Sequence, residues 1–181
     1  MIFPVKGPIS QAFGHYRVIP YGKDGTGDDL NALEVEPTAW IEYDGPHNPS
    51  GAKRAKFSEF AGGSLFNNVH MGVDVICPIG TIVRAPTVGT VIAHSSYPTY
   101  WNGKKVWGLA IVFRLKDGKI LYVDHLSGFI AKEGQAVAEG GGIARSGNSG
   151  ASFGPHAHIE AWASQALFFQ ATRLNPMRVF A

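Results

Sequence analysis

From residue 70 onward, the sequence is a succession of short strand-like runs separated by turn signals, and this rhythm restricts the fold more than any other feature of the chain. The runs are rich in β-branched and aromatic residues and are bounded by Gly, Pro, Asn and Asp. They occupy residues 73–80, 81–86, 89–95, 109–118, 119–126, 135–142, 143–150 and 156–162. The pattern predicts a mainly β fold of meander type, with one short helix possible at 163–171.

The clearest predicted hairpin joins the runs on either side of Asp117–Gly118. An Asp-Gly pair is favoured in two-residue turns because these turns need a positive φ, which Gly adopts without strain. We therefore expect residues 109–116 and 119–126 to pair as antiparallel neighbours.

Composition narrows the class of protein. With 181 residues, 45% of them hydrophobic and 17% charged, the chain can bury one core of ordinary size. A net charge of +2 is a mild basic bias that falls short of a nucleic-acid-binding surface. Cys77 is the only cysteine, which excludes an intramolecular disulfide and a cysteine zinc cluster, and we expect it to be buried. No run approaches the roughly 20 apolar residues of a membrane span.

The stretch from about residue 17 to 65 has a different character. It is rich in Gly, Pro and Asp, carries a small basic run at 53–56, and has only brief apolar pieces. Such a segment is typical of a long insertion, and it could contain one hairpin. We therefore predict a single domain over residues 1–181 with an insertion at about 17–65.

Histidines at two places in the chain suggest a metal site. His156 and His158 are two apart in a strand-like run, so both side chains point to one face of the sheet. Placing two imidazoles together is costly unless a metal or hydrogen-bond acceptors satisfy their nitrogens. His70 and Asp74 can also converge on one point, with Gly72 easing the backbone between them. One imidazole of the first pair would complete a His, Asp, His set, which suits zinc and leaves a fourth position for water.

The motifs around these residues occur together and in a recognisable order. They are an HxGxD motif, a DHLS motif and a GPHxHxE motif. The residues concerned are His70, Gly72, Asp74, His125, Gly154, Pro155, His156, His158 and Glu160. This combination resembles the lysostaphin-type zinc endopeptidases of bacterial peptidoglycan. The resemblance extends over residues 1–16 and roughly 65–180, including the Gly-rich segment before the HxH strand.

The resemblance implies roles for five residues. His70, Asp74 and His158 would bind one Zn²⁺ per chain, and His125 and His156 would be the catalytic histidines. It also implies antiparallel sheets in a distorted sandwich or open barrel with few short helices. The substrate would be a peptide bond in the stem peptide or cross-bridge of peptidoglycan. No nucleic acid and no membrane insertion are expected.

Some neighbours of these residues depart from the family pattern or leave their role open. The family commonly has tyrosine two residues before the first catalytic histidine, where this chain has Val123, with Tyr122 one place earlier. Asp124 is adjacent to His125, so strand alternation predicts that it points away from the site as a solvated carboxylate. Glu160 shares the parity of His158 and could tune the site or be structural. Residues 100–103 form a polar turn that could contact a substrate groove.

Two other functions stay open at this stage. One is a non-catalytic peptidoglycan-binding or regulatory module on the same fold, and the other is a zinc amidase. The sequence carries no export signal, so we expect an enzyme that acts at the bacterial cell wall after delivery by a phage, as an endolysin or tail-associated protein, or a fragment of an exported protein.

Overall fold

The computed structural model describes residues 1–11, 40–42, 54–56, 71–165 and 173–180. Within those residues lie strands β1 to β13 and a short helix α1. Their bounds are β1 Ile9–Gln11, β2 Trp40–Glu42, β3 Arg54–Lys56, β4 Val73–Ile76, β5 Ile82–Arg84, β6 Gly89–Trp101, β7 Lys104–Leu115, β8 Ile120–Asp124, β9 Leu126–Phe129, β10 Ala136–Val137, β11 Gly142–Ser146, β12 His156–Trp162, β13 Arg173–Leu174 and α1 Pro176–Val179.

The main sheet has the strand order β1-β4-β12-β8-β7-β6-β10, and β13 pairs with β12 beside that path. Every pairing in it is antiparallel. The sheet curls into a half-barrel, which confirms the predicted fold class. A smaller sheet, β5-β11-β9, completes the wall of the core.

Strands β2 and β3 fall inside the predicted insertion. They pair antiparallel, with Trp40 opposite Lys56 and Glu42 opposite Arg54, as expected for the one hairpin that the sequence allowed. The rest of the predicted insertion, and most of the predicted helix at 163–171, lie outside the described residues. The single-domain organisation therefore stays a prediction.

The predicted hairpin at Asp117–Gly118 is present, but its turn has three residues rather than two. The Gly118 N–H donates to the Leu115 carbonyl at 3.0 Å, and the Leu115 N–H donates to the Lys119 carbonyl at 2.8 Å. Gly118 has a φ of 88°. A type I turn followed by a left-handed residue is a common three-residue hairpin loop.

A second hairpin, β6–β7, is longer than the sequence indicated. Its two strands pair from Gly89–Leu115 out to Trp101–Lys104, and Asn102–Gly103 form the turn with φ values of 49° and 74°. Two successive positive φ values match the type I′ turn that suits the twist of a hairpin. The expectation of a polar turn at 100–103 was therefore wrong for Tyr100 and Trp101, which belong to β6.

One face of the main sheet packs against the hydrophobic core. On this face, Leu121, Val123, Ile159 and Phe113 are fully buried in the hydrophobic core. Burying a side chain of this size contributes about 1.5–3 kcal/mol to stability. The chain's one cysteine, Cys77, belongs to the same core at 3% exposure, as expected.

None of the helical segments in the described part of the chain has the length and apolar character needed to cross a lipid bilayer.

Candidate metal centre and active site

The pairing of β4, β12 and β8 brings two carboxylates and one imidazole into a row across the sheet. Asp74 of β4 lies opposite His158 of β12, and His158 lies opposite Asp124 of β8. Directly opposed residues of antiparallel strands share a face of the sheet. Alternation along β12 puts His156 and Glu160 on that face too, as predicted from the sequence.

The Asp74 carboxylate is the point on which the imidazoles converge. Its Oδ1 atom lies 2.8 Å from Nδ1 of His158 and 3.7 Å from Nε2 of His156. The side chains of Asp74 and His158 are both 14% exposed. Two potential metal donors from neighbouring strands therefore meet in a largely buried position.

The other ring nitrogen of His158 is held by Glu160. Nε2 of His158 lies 3.2 Å from Oε1 of Glu160. The second oxygen of Glu160 accepts hydrogen bonds from Nε1 of Trp162 at 2.6 Å and from Nε of Arg173 at 2.9 Å. Glu160 and Arg173 are almost fully buried, at 2% and 1% exposure. Glu160 is thus both a contact of the site and part of a buried ion pair, the two roles left open by the sequence.

Charges around His158 favour its protonated ring when no metal is bound. Burial alone would lower the pKa, but the hydrogen bonds and negative charges of Asp74 and Glu160 raise the pKa of His158 to about 10. Burial likewise opposes ionisation of Glu160, yet its hydrogen bond to His158 and the positive charges of His158 and Arg173 hold its pKa below the usual range. A positive charge at Nδ1 of His158 is therefore stabilised from two sides.

This donor set fits a metal ion. With Nε2–H of His158 donating to Glu160, the Nδ1 lone pair points to Asp74, and a cation can replace the proton between them. Imidazole nitrogen and carboxylate oxygen are zinc ligands. Among the described residues, no group of three or more His, Cys, Asp or Glu side chains is arranged to hold a metal ion. His70, the third ligand that the resemblance implies, lies outside those residues.

His125 and His156 share one hydrogen-bonding arrangement. Nδ1 of His125 lies 2.8 Å from the Ser149 carbonyl oxygen, and Nδ1 of His156 lies 2.8 Å from the Gly154 carbonyl oxygen. A carbonyl accepts only, so each Nδ1 carries a proton and donates it. With the proton on Nδ1, Nε2 is the acceptor nitrogen of such a ring whenever the ring is neutral. The ring centroids of His125 and His156 are 4.6 Å apart, and those of His125 and His158 are 6.1 Å apart.

The environment of His125 keeps its ring neutral. Burial lowers its pKa, and this effect outweighs the opposing influence of Asp124. At neutral pH, Nε2 of His125 is therefore available to take a proton.

Asp124 is not the solvated carboxylate predicted from the sequence. It is 8% exposed, and it accepts a hydrogen bond from the Tyr97 hydroxyl. The prediction was wrong because strand alternation ends at Asp124: the next residue, His125, has a φ of 59°. Tyr122 lies on the site face as well, where it stacks on Trp162 at 5.2 Å.

A groove runs beside the convergence point. It has a volume of about 420 Å³ and is lined by Ser10, Asp74, Ile76, Phe153, Gly154, Pro155 and His156. Phe153 contacts Trp101 edge-to-face at 4.5 Å. The tip of the β6–β7 hairpin therefore supports the wall of a groove that leads to Asp74 and His156.

The sequence matches a known family over this part of the chain. Residues 68–176 fit the profile of Peptidase family M23, which is more than half of the 181 residues. The chain belongs to peptidase family M23. The resemblance to lysostaphin-type enzymes drawn from the motifs is therefore confirmed at the level of the family.

Three relatives illustrate this M23 membership. A Haemophilus influenzae protein described as an uncharacterized metalloprotease is 40% identical over 91 residues, which is 50% of this chain and 18% of the relative. The peptidoglycan DD-endopeptidase ShyA of Vibrio cholerae is 34% identical over 91 residues, or 50% of this chain and 20% of the relative. The structure of the antimicrobial peptidase lysostaphin from Staphylococcus simulans matches with a TM-score of 0.51 and 29% identity, covering 61% of this chain and 43% of lysostaphin.

These M23 relatives are longer proteins. The chain spans about a fifth of the length of the curated relatives it matches. Four of its five predicted site residues, Asp74, His125, His156 and His158, lie together in the M23 domain. Sequence reasoning missed Tyr97 and Arg173, which reach the site from strands whose pairing no local motif reveals.

Proposed function

We propose that this chain is a zinc-dependent endopeptidase that hydrolyses a peptide bond in bacterial peptidoglycan. The observation that carries the proposal is the convergence of His158 and His156 on Oδ1 of Asp74, at 2.8 and 3.7 Å, with the His125 ring 4.6 Å from that of His156. Membership of family M23, and the peptidoglycan endopeptidase named among the relatives, support the choice of substrate.

In this proposal, His70, Asp74 and His158 hold one zinc ion. When bound, zinc supplies Lewis acidity at the scissile carbonyl and makes water a stronger nucleophile at neutral pH. Glu160 keeps the proton of His158 on Nε2, so that Nδ1 remains a donor to the metal.

His125 and His156 would carry the proton transfers. Each ring presents Nε2 because its Nδ1–H is bonded to a backbone carbonyl. A neutral Nε2 can orient and deprotonate the attacking water. The protonated ring can then stabilise the developing oxyanion and donate a proton to the leaving amine. Two rings in contact provide an acid and a base on the same side of the substrate.

A binding module on the same fold is the first competing function. A binding module does not need the hydrogen bonds that leave Nε2 of His125 and of His156 facing outwards from their backbone partners. The presence of these hydrogen bonds on both rings therefore favours catalysis. A zinc amidase is the second, since the same ligands can serve a different bond.

We also propose that residues 1–181 form one peptidase domain with an insertion at about 17–65, which limited proteolysis can test.

The test is to measure zinc stoichiometry and hydrolysis of purified peptidoglycan on the same preparation, with and without a chelator. We expect one zinc per chain and new amino groups that disappear on chelation. Mass spectrometry of the products separates the bonds: an endopeptidase cuts within the peptide, whereas an amidase releases the whole stem peptide from the sugar. Bound zinc without hydrolysis of any wall type would point to the binding module.

Delivery by a phage is a separate hypothesis. The genomic neighbourhood of the reading frame tests it, since an upstream signal peptide in the same frame would contradict it.

A further inference from the structure

His125 has a left-handed backbone conformation, which is uncommon for a residue other than glycine. Its φ is 59°, and among the described residues other than glycine only Asn102 shares a positive φ. The left-handed region is unfavourable for a residue with a Cβ, although Asn, Asp and His adopt it more often than other residues do. Asn102 is in a turn that requires this conformation, whereas His125 immediately follows the buried strand β8. We therefore looked for contacts that hold His125 in this conformation.

The side chain of Asp124 supplies that hold. Its Oδ1 atom accepts the backbone N–H of His125 at 2.6 Å. Its Oδ2 atom accepts the Tyr97 hydroxyl and lies 3.4 Å from the Tyr122 hydroxyl. Burial, followed by the charge of Asp124, raises the pKa of both tyrosines, so they stay protonated and donate. The carboxylate is thus fixed on one side by tyrosines and on the other by the His125 amide.

Tyr97 reaches Asp124 across the β6–β7 hairpin. Its partner in the ladder is Gly108, and a Cβ at Gly108 would overlap the Tyr97 ring. The absence of a side chain there lets the phenol lie over β7 and extend to β8. Gly108 is therefore needed for its missing side chain and not for a positive φ.

The same hairpin also holds the ring of His125. The Leu109 N–H donates to Oγ of Ser149 at 3.0 Å, and the Gly150 N–H donates to the Trp107 carbonyl at 2.9 Å. Ser149 carries the carbonyl that accepts Nδ1–H of His125 at 2.8 Å. The backbone and the imidazole of His125 are therefore both anchored to β6–β7.

We propose that Asp124, held by Tyr97, is a positioning residue that fixes the left-handed backbone of His125 and so directs its Nε2 towards the metal site. The proposal rests on the proposed function only in taking His125 as a catalytic residue. Asp124 faces His158 in the strand register, which could suggest a ligand role. However, its two oxygens are engaged by His125 and Tyr97, and it forms no metal-holding group with the described residues.

The first test uses NMR and needs no activity. In Asp124→Ala, the ¹³Cα and ¹³Cβ shifts of His125 should leave the range of a left-handed residue, and exchange of its amide proton should become faster. Tyr97→Phe removes one oxygen far along the chain and should shift the same signals partway. Tyr100→Phe, on the same hairpin and 72% exposed, is the matched control. Unchanged His125 signals in Asp124→Ala would overturn the proposal.

The second test is kinetic. Asp124→Ala should lower kcat about 10–100-fold while KM and zinc stoichiometry stay constant, because misplacing a reacting group impairs turnover. Asp124→Asn keeps an oxygen that can accept the His125 N–H, so it should recover most of the loss and the wild-type His125 shifts. If Asp124→Asn keeps the wild-type His125 shifts but loses turnover as Asp124→Ala does, the negative charge rather than the backbone hold is what matters, and the positioning account is wrong.

The two tests separate this proposal from the proposed function. A wild-type protein that hydrolyses no peptidoglycan would contradict the proposed function, while the NMR shifts of His125 would still decide whether Asp124 fixes its backbone. If Asp124→Ala does not fold, Tyr97→Phe gives the same decision through a single deleted hydroxyl.

Discussion

Nε2 of His158 lies 3.2 Å from Oε1 of Glu160, and this contact selects the ring nitrogen that faces Asp74. Glu160 is itself held by Trp162 and Arg173 through its other oxygen. A ligand histidine commonly donates its second N–H to a carboxylate, which fixes the tautomer and the ring orientation. The buried ion pair between Glu160 and Arg173 is thus connected to the candidate metal centre through His158.

We expect Glu160→Gln to weaken zinc binding about 10–100-fold, because a neutral amide holds the Nε2–H tautomer less strongly. Competition with a chromophoric chelator measures the affinity. Glu139→Gln, at an exposed position, is the control and should bind zinc like the wild type. Thermal unfolding is recorded on the same samples, since the change also weakens the ion pair with Arg173. Equal affinity in Glu160→Gln and wild type would contradict the assigned role.

Replacing the histidines one at a time should separate binding from turnover. His158→Ala removes a proposed ligand and should lose zinc and hydrolysis together. His125→Ala should keep about one zinc per chain and lose at least about 10²-fold in kcat, as expected for a general acid–base residue. Metal analysis and peptidoglycan hydrolysis on both variants make the comparison. Full activity in either variant would remove that residue from its proposed role.

Zinc binding at pH 7 should release about one proton from His158. The metal-free ring has a pKa raised to about 10, so it is protonated at pH 7, whereas a ligand imidazole must be neutral at the coordinating nitrogen. This group therefore makes zinc affinity increase with pH until the pH passes about 10. Titration calorimetry in buffers of different ionisation enthalpy measures the released proton. Heats that do not depend on the buffer would be the contrary result.

Phe153→Ala should raise KM severalfold and leave zinc content unchanged, because Phe153 lines the groove beside Asp74 and His156. Its side chain is 77% exposed, so the effect on stability should stay within about 0.5 kcal/mol. Tyr100→Ala removes another exposed aromatic that does not line the groove and serves as the control. The same KM for Phe153→Ala and wild type would exclude a substrate contact at this wall.

Period-two alternation was enough to predict the core strands and the shared face of His156, His158 and Glu160. It failed at Asp124 because the rule applies only while the backbone stays extended, and His125 leaves that conformation. A single left-handed residue let two consecutive side chains serve the same site. A histidine by itself is a weak signal of a positive φ, because only a few per cent of residues other than glycine adopt one.

The long β6–β7 hairpin was underestimated for a related reason. Its outer half contains Pro98, Gly103 and Gly108 and has exposed positions on both strands, such as Tyr100 and Trp107. A strand without a buried face lacks the alternation that marks strands in a sequence. The contacts of Arg173 with Glu160 were beyond reach as well, because they depend on the pairing of β12 with β13.

The metal donors also bear on how the chain folds. Asp74 and His158 are separated by 84 positions, and they meet only when β4 has paired with β12. Closing such a long loop has an entropic cost that local turns do not have, so this pairing belongs among the slow, non-local contacts. In the proposed function, the metal would bind only after these two strands have paired, so a partly folded chain would have no competent catalytic centre.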